Sequence, residues 1–200
     1  MCATQWAWGT ELRAAPPGGS SINIRPSKPD DVTAITSIYA HHVLHGLASF
    51  EATPPSADEM ATRRREIIAK GFPYLVAEKI EQLQGDTPQV LGYAYASLYR
   101  TRPAYRYTLE DSIYLHPDAA GRGIGTLLLT ALLEACEQQG ARQVIAIIGD
   151  SANHASIKLH AACGFTLTGT LHAVGFKFGR WVDSVIMQKA LGAGAATLPK

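Results

Sequence analysis

The stretch richest in chemistry runs from a strand-like segment, Asp111 to Leu115, through His116-Pro117 into Gly121-Arg122-Gly123-Ile124-Gly125 and then a long helical pattern. A glycine-rich turn lets backbone N–H groups approach a phosphate closely, and the following helix turns its positive end toward the same anion. Such a segment can cradle an anion. No GK[ST] follows, and Gly121-x-Gly123-x-Gly125 is not the GxGxxG of dinucleotide folds, so nucleotide hydrolysis and hydride transfer both lose support. Two readings stay open on these residues alone: an anion cradle, or glycines that only permit a tight strand-to-helix turn. Downstream lies a second string, N-x-x-S-x-x-L-H-x-x-x-G-F, made by Asn153, Ser156, Leu159, His160, Gly164 and Phe165. Asn153 can cap a helix there.

Other reactive side chains are explained more simply. His41 and His45 are four apart on one predicted helix, but no HExxH and no acid in ligand spacing accompany them, so a wet or capping helix face is expected and no metal. Cys163 follows His160 by three residues and is read as a small buried side chain rather than a nucleophile. The Arg63-Arg64-Arg65 run is read as a solvated helix face, part of which could touch an anionic ligand.

The elements that must position these residues follow from patterning. Ile22 to Arg25 alternates as a short strand, and Lys28-Pro29-Asp30-Asp31 opens a helix carrying Val32, Ile35, Ile38, Tyr39 and Val43. Ser56 with Glu59 three residues later marks the start of a helix reaching about Lys70. Tyr74 to Glu78 and Val90 to Leu98 read as an antiparallel hairpin with a longer loop. After the glycine loop, Ile124, Leu127, Leu128, Ala131, Leu132 and Ala135 keep a helical period that ends at Gly140. Val144 to Ile148 is a strand covered on both faces, Asn153 begins a helix to about Cys163, and strands near Thr166 to His172 and Trp181 to Lys189 complete a mixed α/β sheet. Residues 1–20 end in Pro16-Pro17-Gly18-Gly19 and are expected to form a flexible leader, with one domain over 21–191 and a flexible tail over 192–200.

Composition narrows the class. The chain has 200 residues with 18 Lys+Arg against 17 Asp+Glu, so no broad basic face for nucleic acid is expected. Three widely spaced cysteines without a CxxC pair argue for a reducing, cytoplasmic setting and against a disulfide framework. The richest apolar stretch, Leu127 to Leu133, falls far short of a bilayer span, and the first residues lack a secretory pattern, so neither membrane insertion nor secretion is expected.

Taken in order, Ile113-Tyr114-Leu115-His116-Pro117, the glycine loop and the Asn153 to Phe165 string resemble the GNAT superfamily of N-acetyltransferases. Within it the chain is similar to the phosphinothricin and methionine sulfoximine N-acetyltransferase group. The supporting strings are Ala48-Ser49-Phe50-Glu51, Pro73 to Ala77, Tyr105 to Tyr114 and Gly175 to Asp183. One departure is Ala120, where the family loop carries Gln or Arg. The resemblance implies a mostly antiparallel mixed sheet of about seven strands, splayed between strands 4 and 5 and flanked by about four helices. Acetyl-CoA would enter the splay, with Leu115, His116, Pro117, Arg122, Gly123, Ile124, Gly125 and Thr126 on the pantetheine and pyrophosphate and Asn153 and Ser156 opposite. It further implies Glu110 as general base, His160 as proton donor to the leaving thiolate, and a backbone N–H near Leu115 for the oxyanion. Phe50, Glu51, Arg102, Tyr105, Ile113, Tyr114 and Lys177 would form the substrate side, with a likeness to homodimers. Other readings weighed against this are the same chemistry on a polyamine or protein N-terminus, and a CoA-binding sensor without turnover.

Overall fold

Side-chain alternation along the strand segments demands a sheet with two covered faces. The computed structural model describes residues 12–14, 21–80 and 89–199, and builds from them one eight-stranded sheet in the order β1-β2-β3-β4-β5-β6-β8-β7. The strands are β1 Leu12–Ala14, β2 Ser21–Pro26, β3 Tyr74–Ile80, β4 Gln89–Leu98, β5 Thr108–Leu115, β6 Gln143–Gly149, β7 Thr166–Lys177 and β8 Arg180–Ala190. Every neighbouring pair is antiparallel except β5 and β6. The seven expected strands are all present. The eighth, β1, lies within the stretch read as a leader and pairs with the edge of β2; at three residues it is too short for a period-two signal. The splay therefore falls between the fifth and sixth strands. The loop expected between β3 and β4 lies outside the described residues.

Four helices cover the sheet: α1 Val32–His45, α2 Ala57–Ala69, α3 Ile124–Gln138 and α4 His154–Ala162. Their starts have the expected chemistry. Ser56 Oγ accepts from the Glu59 N–H at 3.2 Å, and Asn153 Oδ1 accepts from the Ser156 N–H at 3.2 Å. Leu128, Leu129 and Leu132 of α3 pack on one sheet face with Ala94, Leu109, Val144 and Met187, joined by α4 through Ile157 and Leu159. On the other face Ile35, Ile38 and Val43 of α1 and Met60 of α2 enclose Tyr74 and Tyr93. There the rings of Tyr74 and Tyr95 stack at 5.1 Å and those of Tyr93 and Tyr114 at 5.4 Å.

One expectation is corrected. Of the Arg63-Arg64-Arg65 run, Arg64 is buried, its Nε donating to Ser27 Oγ at 2.8 Å, and Arg63 is paired with Glu51 and Glu59, so this is not simply a wet face. Beyond Leu191, Arg142 Nη2 donates to Thr197 Oγ1 at 3.2 Å and to the Leu198 carbonyl at 3.3 Å.

Candidate active site

The site begins where two neighbouring strands stop pairing. β5 and β6 run parallel only over Thr108–Asp111 against Gln143–Ala146, and β5 then continues to Leu115 with no ladder partner on that side. Backbone direction follows from parity. The Tyr107 carbonyl accepts from β6, whereas the Thr108 carbonyl and the His116 N–H bond toward β4, so the N–H and C=O of Ile113 and Leu115 face the gap. Buried backbone groups need partners, and a V of this shape offers them to an extended amide-bearing ligand. His42 of α1 already donates from Nε2 to the Leu115 carbonyl at 2.8 Å.

The closed end of the V opens into a cavity of about 400 Å³ whose walls include Glu110, Tyr114, Phe50, Asn153, Ser156 and His160. Side chains on β5 alternate, so Glu110, Ser112 and Tyr114 turn toward α1 and α2 while Asp111 turns toward α4. Among the described residues Glu110 has no hydrogen-bond partner; burial pushes its pKa up, the Arg100 cation opposes this, and neighbouring Asp111 adds to it. A carboxylate held this way takes up a proton more readily than an exposed one.

His160 is almost wholly buried. Its Nε2 lies 3.0 Å from Asp111 Oδ2, its Nδ1 donates to the Ser156 carbonyl at 2.8 Å and lies 3.4 Å from Ser156 Oγ, and the Phe165 ring meets it edge-on at 5.1 Å. Burial alone would lower its pKa, yet the Asp111 carboxylate and the Ser156 carbonyl outweigh that and the net shift is upward. Both ring nitrogens are thus engaged inside the protein.

The glycine loop has the geometry of a cradle. Gly121 and Gly123 adopt φ of 72° and 76°, and a Cβ at either would meet nothing within 4 Å, so these glycines serve backbone conformation and leave open space beside it. Gly123 caps α3, whose first N–H groups face the outside, flanked by exposed Arg122 and Thr126. His116 and Pro117 end β5: His116 Nδ1 accepts from the Asp118 N–H at 3.3 Å and closes a short turn over Pro117–Ala119. Ile124 and Gly125 are buried, Gly125 allowing close approach of Leu159 and Leu115.

The remaining sequence-derived positions divide. Phe50 and Glu51 lie on the loop after α1, where Glu51 accepts from Tyr39 Oη at 2.8 Å and from Arg63 Nη1 at 2.6 Å. Lys177 does not reach the cavity as a free charge. Its ammonium is buried and donates to the Gly46 and Ser49 carbonyls at 2.9 and 2.7 Å, so it holds the same loop in place. Arg102 and Tyr105 are exposed on a turn after β4 and do not line the cavity. Asn153 lines the cavity although its side-chain oxygen is spent on capping α4. Sequence reasoning misses Asp111, Tyr39 and Arg100. Alternation along β5 places Asp111 opposite Glu110, but nothing local signals that α1 aims Tyr39 at the loop, or that Arg100 is the arginine whose charge reaches Glu110.

A half-unzipped parallel strand pair, an anion cradle at the mouth of a helix and a raised-pKa carboxylate at the closed end define a site for acyl transfer from a phosphate-bearing thioester to an amine. The profile of the Acetyltransferase (GNAT) family matches residues 40–165, and the chain belongs to that family. It is 54% identical over 180 residues to phosphinothricin N-acetyltransferase of Alcaligenes faecalis, covering 90% of this chain and 88% of that one. It is 37% identical to the L-methionine sulfoximine/L-methionine sulfone acetyltransferase of Salmonella typhimurium, over 88% of this chain and 98% of that one. A solved structure of a GNAT superfamily phosphinothricin acetyltransferase from Sinorhizobium meliloti, in complex with AcCoA, superposes with a TM-score of 0.83 at 48% identity, covering 90% and 93% of the two chains.

Proposed function

We propose that this chain transfers the acetyl group of acetyl-CoA directly to the amine of a small amino-acid analogue of the phosphinothricin, methionine sulfoximine or methionine sulfone type. The observation that carries the reading is the V between β5 and β6, closed at Asp111 and lined just there by Glu110. Leu115 and Ile113 offer backbone groups to the pantetheine arm, and the N–H groups from Arg122 to Thr126 take the pyrophosphate. Because those donors are backbone groups, Ala120 in place of a polar side chain lowers the grip on phosphate without removing it.

Glu110 removes the ammonium proton, directly or through water, so that the nitrogen can attack; the Leu115 N–H, aimed into the gap, is the donor for the oxyanion. His160 supplies the proton that the thiolate needs. Phe50, Glu51 and Tyr114 shape the amine side, and Arg100, whose charge reaches Glu110, supplies the cation for a carboxylate or phosphinate, with Arg102 and Tyr105 outside the cavity on the adjoining turn. Acetylation removes the charge of the substrate's amine, which is the chemistry of resistance to such a compound. We further propose a cytoplasmic homodimer. Cys136 and Cys163 are free thiols, and β7 with the start of β8 leaves Leu171, Val174, Phe176 and Trp181 exposed, the Phe176 and Trp181 rings meeting at 5.3 Å.

The test is CoA thiol release by purified protein across phosphinothricin, methionine sulfoximine and sulfone, ordinary amino acids, polyamines and peptides. Turnover concentrated on the first three is expected. Release only with polyamines or peptides, or binding of acetyl-CoA without release for any amine, would overturn the reading.

A further inference from the structure

His160 cannot meet a thiolate directly. The ring is 2% exposed, and each nitrogen faces an acceptor inside the protein: the Asp111 carboxylate at 3.0 Å and the Ser156 carbonyl at 2.8 Å. A carbonyl oxygen only accepts, and an ionised carboxylate only accepts, so a ring placed between them carries a proton on both nitrogens. Asp111 is equally dependent on the ring, because its other oxygen, Oδ1, is buried with no partner at all. His160 borders the cavity only with a ring whose nitrogens are both engaged, and beside it the wall carries the half-buried Ser156, whose Oγ lies 3.4 Å from Nδ1.

We propose that Asp111, His160 and Ser156 form a proton relay in which the Ser156 hydroxyl, not the imidazole, faces the leaving thiolate, with Asp111 as the positioning residue that keeps the ring doubly protonated. The proposal rests on the acetyltransferase reading above and assigns the route of its last proton. As the C–S bond breaks, its electron pair stays on sulfur; sulfur takes the Ser156 Oγ proton, and the serine oxygen takes the Nδ1 proton of His160. The ring is left neutral with Nε2–H still on Asp111. The attacking nitrogen releases two protons in all, of which one restores the ring and one leaves to solvent.

Surrounding groups do not supply a competing charge. Those facing the pair are Cys136 from α3 and Cys163 at the end of α4, with Glu110 on the opposite face of β5 and Lys189 of β8 beyond Cys163. Burial pushes the Cys136 thiol up to about 12 and raises that of Cys163, so both are neutral where the enzyme would work.

Three measurements on the full chain test this. Ser156→Ala should lower kcat with acetyl-CoA roughly a hundredfold while its affinity for acetyl-CoA, read by calorimetry, changes no more than about threefold. An acetyl thioester of an acidic aryl thiol needs no proton on departure, so with that donor the deficit of Ser156→Ala relative to the parent chain should shrink at least tenfold. Asp111→Asn should move the alkaline limb of kcat, and the titration of the His160 ring read by NMR, to lower pH by about one to three units. Parental kcat in Ser156→Ala, or an equal deficit with the aryl thioester, would overturn the relay. So would Asp111→Asn with an unmoved limb and ring. If Asp111→Asn does not fold, the two serine measurements still decide. Absence of thiol release from the parent chain would instead strike the acetyltransferase reading.

Discussion

Glu110 shows how one residue's surroundings set its chemistry. Its carboxyl is pushed up chiefly by burial, with the Arg100 cation pulling the other way and Asp111 reinforcing the rise. A carboxylate whose pKa is raised becomes protonated sooner as the medium is acidified. The kcat/KM of the parent chain should therefore fall on acidification through that raised value, and Glu110→Gln should lose this limb. At neutral pH the variant should run roughly a hundredfold slower, with acetyl-CoA affinity unchanged, since Glu110 turns away from the cradle. A pH–rate profile checks it: parental rate and an intact acid limb in Glu110→Gln would remove this carboxylate from the role. The same scale explains Arg100→Ala, which withdraws the opposing cation and should move the limb to higher pH.

The loop between α1 and α2 is an element without regular structure that is nonetheless tightly held. Lys177 binds two of its carbonyls from β7, Glu51 is held by Tyr39 and Arg63, and Phe50 lies over Gly175. A Cβ at Gly149 would collide with the Leu47 carbonyl, whereas one at Gly175 would collide with the Phe50 ring, which can turn aside. Gly149→Ala should therefore cost more stability than Gly175→Ala, about 1–3 kcal/mol by denaturant titration, and raise the KM of the amine more; the reverse order would show that the loop yields more readily than the ring. Lys177→Met should also raise the amine KM, by leaving two buried carbonyls without a donor, and spare acetyl-CoA binding. Such clamps are what the sequence hides. Strands, helices and caps were legible because Ser56, Asn153 and the α3 apolar period act locally, and the glycine loop because its neighbours state its context. Lys177 reads as a free cation and Arg64 as a wet one until tertiary contact shows carbonyl groups waiting for each. Asp111 and His160 stand 49 residues apart, and no periodicity links them.

At the scale of the whole molecule the sheet is two parts joined by a short seam. β1 to β5 form an antiparallel run and β6, β8 and β7 another, and the link is the parallel ladder of Thr108–Asp111 on Gln143–Ala146 with the Asp111–His160 pair at its end. A ligand lying in the V would bond to both parts and add to that seam, so acetyl-CoA should act as a structural strut as well as a substrate. By mass action, acetyl-CoA at a hundred times its Kd should stabilise the fold by about 2.7 kcal/mol. For a chain of this size that raises Tm by roughly 5–10 °C. Hydrogen exchange locates the effect. The amides of Ile113 and Leu115 face the gap without ladder partners and should gain protection on adding acetyl-CoA, while Ser112 and Tyr114, which face β4 and are already paired, should change little. A Tm that rises with no added protection at Ile113 and Leu115 would mean that the coenzyme binds elsewhere on the surface, and the splay would then be a feature of the fold without a part in holding it.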